Sequence, residues 1–294
     1  AWPQLYAVSF SGFYLAMFAI LFALILRPVA FKFRGKNDSV RWRTTWDWLL
    51  FVGGFVPSLI CGVAMGNVLQ GVPFRLEPDM QIHYTGSFFG LLNPFALLTG
   101  VLSVAMLTAH GASWLQLKTS GEVHERARRF GMVASLVTAV LFVVCGVLLY
   151  KFVAGYQVTS EVVAGGPSNP LLKTVEHRAG AWFANYAAHP WLYVVPLVGV
   201  AGALLAWLAM AARKALPALL ASGLGIAGII LSVGTSMFPF ILPSTQDPRA
   251  SLTVWDSSSS HLTLFIMLVC VVIFLPIILA YTSWVYSVLR GKVD

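Results

Sequence analysis

The sequence predicts an all-α fold, a polytopic bundle of membrane-crossing helices, and two observations carry that prediction. Apolar residues make up 58% of the 294 and charged residues only 10%. A soluble domain carries about a quarter charged and just under half apolar residues. Seven stretches, near 4–26, 46–67, 88–115, 131–150, 191–212, 216–240 and 262–289, also reach the roughly 20 apolar residues that a bilayer core requires of a helix. These runs are too long and too continuous for barrel strands, which are short and alternate in character. Lipid offers the backbone no hydrogen bonds, so each run is read as an α-helix.

Taken in order, the first span follows Ala1-Trp2-Pro3 and is closed by Arg27 before Pro28. No initiating Met precedes it, and it is too long and too poor in flanking basic residues for a signal peptide. A chain beginning downstream of the natural start is expected. The second span opens on Trp46-Asp47-Trp48, and the third holds His110 in its inner half. The fourth follows a basic segment, 118–129. A tight connection at Arg213-Lys214 separates the fifth and sixth, and the seventh runs into a basic tail with Arg290 and Lys292.

Charge gives the expected orientation. Arg27, Lys32, Arg34, Lys36, Arg41 and Arg43 lie between the first two spans. With Lys118, Arg126, Arg128, Arg129, Arg213, Lys214, Arg290 and Lys292 they account for most of the 19 basic residues, all in alternate connections. The positive-inside rule places that set in the cytoplasm, with the C-terminus inside and Ala1 outside. The formal charge of +8 is therefore read as topology, not as nucleic-acid binding. Trp42, Trp46, Trp48, Trp114, Trp182, Trp191, Trp255 and Trp284 frame the spans as an interfacial belt would.

The longest exterior segment, 151–190, contains the turn-rich stretch Gly165 to Pro170 and then a Lys173 to Arg178 patch read as a short surface helix. The second exterior loop, 241–261, carries Pro243, Pro248 and the serine run 257–260. No composition shift divides off a soluble domain, so residues 1–294 are expected to form one membrane domain. Cys61, Cys145 and Cys270 all fall in spans and read as packing residues.

Chemistry-bearing groups at membrane depth are few. Arg27 is either a snorkelling anchor or a charge beside a cofactor or proton route. Asp47 suits a helix N-terminus, where the dipole favours an acid. His110 is a weak candidate haem ligand, since a second axial residue at matching depth is needed and none stands out. Asn67, Gln70, Asn93, Thr235 and Ser236 suit bonds between helices. The sequence has no Walker A loop, no GxGxxG after a strand, no HExxH and no GxSxG.

The chain resembles subunit II of the cytochrome bd ubiquinol oxidases, a family that includes the cyanide-insensitive oxidases. The resemblance rests on Phe10-Ser11-Gly12-Phe13-Tyr14, Arg27-Pro28-Val29-Ala30-Phe31, Arg41-Trp42-Arg43 with Trp46-Asp47-Trp48, and the run Gly66 to Phe74. It continues through Leu92-Asn93-Pro94-Phe95, Ser168-Asn169-Pro170, Gly180-Ala181-Trp182, Phe238-Pro239-Phe240 and Ser251 to Asp256. These motifs cover essentially the whole chain in order.

The resemblance implies nine spans, of which the seven here are expected to be the last. It implies a partner, subunit I, holding two b-type haems, one d-type haem and the quinol-oxidising loop, with small accessory subunits as further candidates. It implies an inner-membrane complex that oxidises quinol, reduces oxygen to water and takes protons from the cytoplasm. No catalytic residue or metal ligand is then expected in this chain. Arg27, Asp47 and Trp46 are the candidates for a proton route or a structural quinone. Lys32 stands where some relatives carry an acid, which weakens a relay through that loop. A transporter or non-redox scaffold is the competing class. It would show broken helices and paired midplane charges, which this sequence does not.

Overall fold

The computed structural model describes residues 1–161, 165–289 and 291. The basic tail residues Arg290 and Lys292 lie outside the described residues. Among the described residues seven helices are long and apolar enough to cross a membrane, and the predicted all-α polytopic bundle is the architecture found.

The first span is divided. Helix α1 (Pro3–Gly12) gives way at Phe13 to α2 (Tyr14–Phe33). The missing side chain of Gly12 lets the Tyr84 ring press on the break, where a Cβ would come within 2.6 Å of it. Helix α2 continues through Pro28, so Arg27 lies inside the helix and does not close it. After a 3-10 turn at Arg34–Lys36, α3 runs over Val40–Gln70. Asp47 is thus about two turns into α3, too far from its N-terminus for the dipole to account for it.

A hairpin of β1 (Phe74–Leu76) and β2 (Ile82–Tyr84) follows. Helix α4 (Pro94–Lys118) has a proline in its first turn, and its cap Asn93 accepts the Ala96 N–H at 2.8 Å. Only Thr119 and Ser120 separate it from α5 (Gly121–Phe152). The basic segment 118–129 is therefore mostly helix, its charges paired along one face through Glu122–Arg126 and Glu125–Arg128.

Residues 154–158 and 175–179 pair antiparallel as β3 and β4, with Tyr156 opposite His177. The patch expected as a surface helix from Lys173 to Arg178 is accordingly a strand. Its backbone partners come from β3, which a local reading of the patch does not contain. Short α6 (Ala184–Ala188) leads through a 3-10 turn to α7 (Val194–Ala211) and α8 (Ala215–Met237). A last hairpin, β5 (Phe240–Leu242) with β6 (Leu252–Thr253), precedes α9 (His261–Val288).

Helices α4, α5, α7 and α8 form the centre, with α3 packed on α4 and α2 on α3. Small residues permit the closest approach. A Cβ on Gly202 would come within 2.4 Å of the Gly225 nitrogen, and one on Gly228 within 2.3 Å of the Gly199 nitrogen. Helix α9 has no buried residue. Its C-terminal end meets α4 where Tyr286 packs on the edge of Trp114 and Lys118 donates to the Leu289 carbonyl.

Connections at one end of the bundle are short and basic. At the other end the three hairpins form a packed layer with two apolar clusters. Val8, Phe74, Leu242 and Leu252 anchor one, and Leu69, Tyr156, Trp182 and Phe240 the other. Trp182, expected in an interfacial belt, is instead fully buried there and donates its indole N–H to the Leu69 carbonyl at 3.0 Å. Aromatic content alone does not separate a belt residue from a core residue.

Candidate functional site

At the basic end, α2 and α3 bring the sequence candidates near one another without joining them in one site. The aliphatic stem of Arg27 lies across Gly53 of α3, where a Cβ would come within 2.5 Å of the Arg27 Cγ. Its guanidinium has no hydrogen bond or ion pair among the described residues, and the side chain is exposed. Asp47 is held by Arg34, whose Nε donates at 2.5 Å and Nη2 at 3.1 Å to the two carboxylate oxygens. Trp46 packs on Phe33 with the rings tilted and their centroids 5.5 Å apart, meets Trp42 edge-on, and its buried indole N–H has no partner among the described residues. Trp42 donates to the Phe33 carbonyl at 2.8 Å. The cluster fixes the turn between α2 and α3 and leaves Arg27 as a free cation beside it.

A cavity of about 420 Å³ opens between α3, α4, α5, α7 and α8, a size typical of small-molecule sites. Met65, Phe95, Leu102, Phe142, Leu149 and Ile229 give it an apolar wall, and no charged side chain among the described residues lines it. Some of the hydroxyls at its margin are committed to backbone carbonyls. Thr99 donates to the Gly62 and Ala96 carbonyls, and Tyr186 to the Ser232 carbonyl, with Thr235 and Ser236 close to the same phenol. Such a space suits an apolar chain or ring with few polar atoms. None of Arg27, Asp47 and Trp46 lines it.

His110 has a structural partner: its Nδ1 lies 2.9 Å from the Ser222 hydroxyl on α8. Among the described residues no group of three or more His, Cys, Asp or Glu side chains is placed to hold a metal ion. The motif asparagines bond between elements. Asn67 donates to the Val63 and Leu91 carbonyls, and Asn93 donates to Asn67.

At the hairpin end lies a group that sequence reading missed. Lys173 is buried and meets Asp256 at 2.8 Å while also donating to the Pro170 carbonyl. Asp256 accepts further from the Thr253 N–H and the Ser257 hydroxyl. Burial lowers the Lys173 pKa, and the neighbouring carboxylates of Asp256 and Asp247 act against that shift. Asp256 lies in a family motif and Lys173 does not, so nothing in the sequence linked these two loops. Nearby, burial pushes the Tyr156 phenol up to about 12.

A family profile described as cytochrome bd terminal oxidase subunit II matches residues 1–289. The chain is 50% identical over 294 residues to a Haemophilus influenzae protein named probable cytochrome oxidase subunit 2, covering 100% of this chain and 78% of that one. It is 48% identical over 293 residues to the cytochrome bd-I ubiquinol oxidase subunit 2 of Escherichia coli K12, covering 100% and 77%. The solved bd oxidase structure from Geobacillus thermodenitrificans aligns over 97% of this chain and 80% of that chain, with a TM-score of 0.54 at 15% identity, a likeness of fold. By the extent of the profile match and the identity to these relatives, the chain belongs to the cytochrome bd terminal oxidase subunit II family.

Proposed function

We propose that this chain is the supporting subunit of a quinol:oxygen oxidoreductase in a bacterial inner membrane, with the redox centres carried by a partner subunit I. The profile match over residues 1–289 carries this reading. In it, subunit I holds two b-type haems and one d-type haem, oxidises quinol and reduces oxygen to water with protons drawn from the cytoplasm. The basic connections face the cytoplasm by the positive-inside rule, which puts Ala1 on the outer side. Residues 1–294 act as one membrane domain. Affinity purification through this chain tests the assignment. Haem absorbance of both types and quinol-driven oxygen uptake in the purified material support it, and a colourless preparation without that activity overturns it.

The apolar cavity is the place we assign to a structural quinone in this subunit. Its volume and its largely apolar wall favour a molecule that is mostly hydrocarbon. The role of Arg27 is separate. An unpaired guanidinium near the basic face can hold water or an acid of the partner subunit in place for proton entry. Asp47 and Trp46, held by Arg34 and Phe33, position the turn beside Arg27.

A further inference from the structure

The centre of the bundle contains three hydroxyls whose hydrogen-bonding capacities are complementary. Ser135 on α5 is 1% exposed, and its Oγ has no partner among the described residues. Thr138, one turn on, donates its hydroxyl hydrogen to the Ala134 carbonyl at 2.8 Å and keeps its lone pairs free. Ser222 on α8 donates to the Leu219 carbonyl at 2.9 Å. Its single hydrogen is thereby used, so His110 must donate from Nδ1 across their 2.9 Å contact. That leaves Ser222 one further lone pair. All three residues line one small cavity of about 10 Å³, bounded also by Ala109, Ala203 and Gly225.

A buried water needs about 10–15 Å³ of such space and two to four polar partners. We propose that this cavity is a binding site for one structural water molecule. The water accepts the Ser135 hydroxyl hydrogen and donates its own two hydrogens to Ser222 Oγ and Thr138 Oγ1. The count of three bonds is the usual one for a buried water, and it satisfies the one hydroxyl in the cluster that otherwise lacks a partner. The result is a chain His110–Ser222–water–Ser135 that ties α4, α8 and α5 together. Apolar side chains alone give helices in lipid little preference for one register, so a fixed bridge of this kind specifies how the three helices meet. Met106 and Ile229 line both this cavity and the larger apolar one. The water therefore lies just beyond the wall of that space, on the side of His110.

The test is an electron cryo-microscopy map of the intact oxidase complex in lipid nanodiscs, at a resolution that shows ordered water. The native complex is compared with Ser135→Val, whose added bulk occupies the cavity. The expected result is a density peak within hydrogen-bond distance of all three hydroxyls in the native map and its loss in the variant. A native map with no peak, and Ser135 Oγ turned onto the Gly131 carbonyl of its own helix, overturns the proposal. So does a peak that persists unchanged in Ser135→Val. If the variant does not assemble, the native map alone decides. Melting temperatures of Ser135→Ala, Ser222→Ala and the double variant give a second readout. A shared water predicts that the double variant loses clearly less than the sum of the two singles, and strict additivity counts against it.

Discussion

The ammonium of Lys173 lies 2.8 Å from the carboxylate of Asp256, and both side chains are largely shielded from water. The two residues come from different loops of the hairpin end, and Ser168 adds a bond to the Asp256 carbonyl alongside them. This pair joins the segment after β3 to the segment before α9.

Breaking it on one side strands a charge. Lys173→Met is expected to destabilise the hairpin layer by on the order of 3 kcal/mol, because Asp256 keeps a shielded carboxylate without its counter-ion. The paired replacement Lys173→Met with Asp256→Leu is expected to recover part of that loss. Thermal unfolding of the purified complex measures both. Equal stability of Lys173→Met and the native protein would show that the pair is held for some other reason.

The Arg34–Asp47 pair is the opposite case. It has good two-point geometry, but both side chains are about half exposed, at 49% and 50%. Exposed pairs contribute little net stability. Asp47→Asn is expected to leave the melting temperature nearly unchanged while loosening the α2–α3 turn, read as faster amide exchange over residues 34–39. A large fall in melting temperature would contradict this.

Tyr156 sets a pH dependence. Its usual phenol pKa of 10.0 is raised to about 12 by burial. Between those values the unfolded chain loses the proton and the folded chain keeps it, so stability falls as pH rises through the window. The contribution lost is roughly 2–3 kcal/mol, at about 1.36 kcal/mol per pH unit. Tyr156→Phe is expected to flatten that part of the alkaline stability profile relative to the native protein. Parallel profiles from pH 10 to 12 would refute the assignment.

Gly146 lines the apolar cavity, and a Cβ built on it meets nothing within 4 Å. Gly146→Phe therefore adds a ring to the cavity without a backbone clash. The expected outcome is loss of most extractable quinone per complex with unchanged haem content, read by chromatography of an organic extract. Unchanged quinone would place that molecule elsewhere.

Arg27→Ala is expected to slow oxygen reduction several-fold in a complex that still assembles with full haem content. Turnover at the native rate would leave Arg27 as a membrane anchor, and loss of assembly would make it structural.

Much of the architecture was legible from residues alone, because hydropathy reports directly on length in lipid. Six of the seven long helices fall on the expected stretches, and the first expected span, 4–26, is broken at Phe13 so that its long helix runs over Tyr14–Phe33. Their ends were not legible. Charged turns such as 122–129 look like loop to a hydropathy reading, yet their ions pair at helical spacing and extend α5 toward the basic face. Lys173 to Arg178 looked helical because nothing in the patch itself reveals the strand 154–158 that it pairs with. Asp47 was placed near a helix terminus, and its actual partner Arg34 lies across a turn whose geometry depends on Trp42 and Phe33. The cavity was wholly hidden, since its lining is gathered from six helices and the turns beside α6 and consists of residues that each look like ordinary core.

The central claim is that this chain is required by a haem-bearing quinol oxidase. The most direct measurement uses membranes from cells that lack the chain and from the same cells with it restored. The prediction is that its removal abolishes the d-type haem absorbance band and the quinol-driven oxygen uptake attributable to this oxidase, and that restoring the chain returns both. Membranes that keep the band and the activity without the chain would contradict the account.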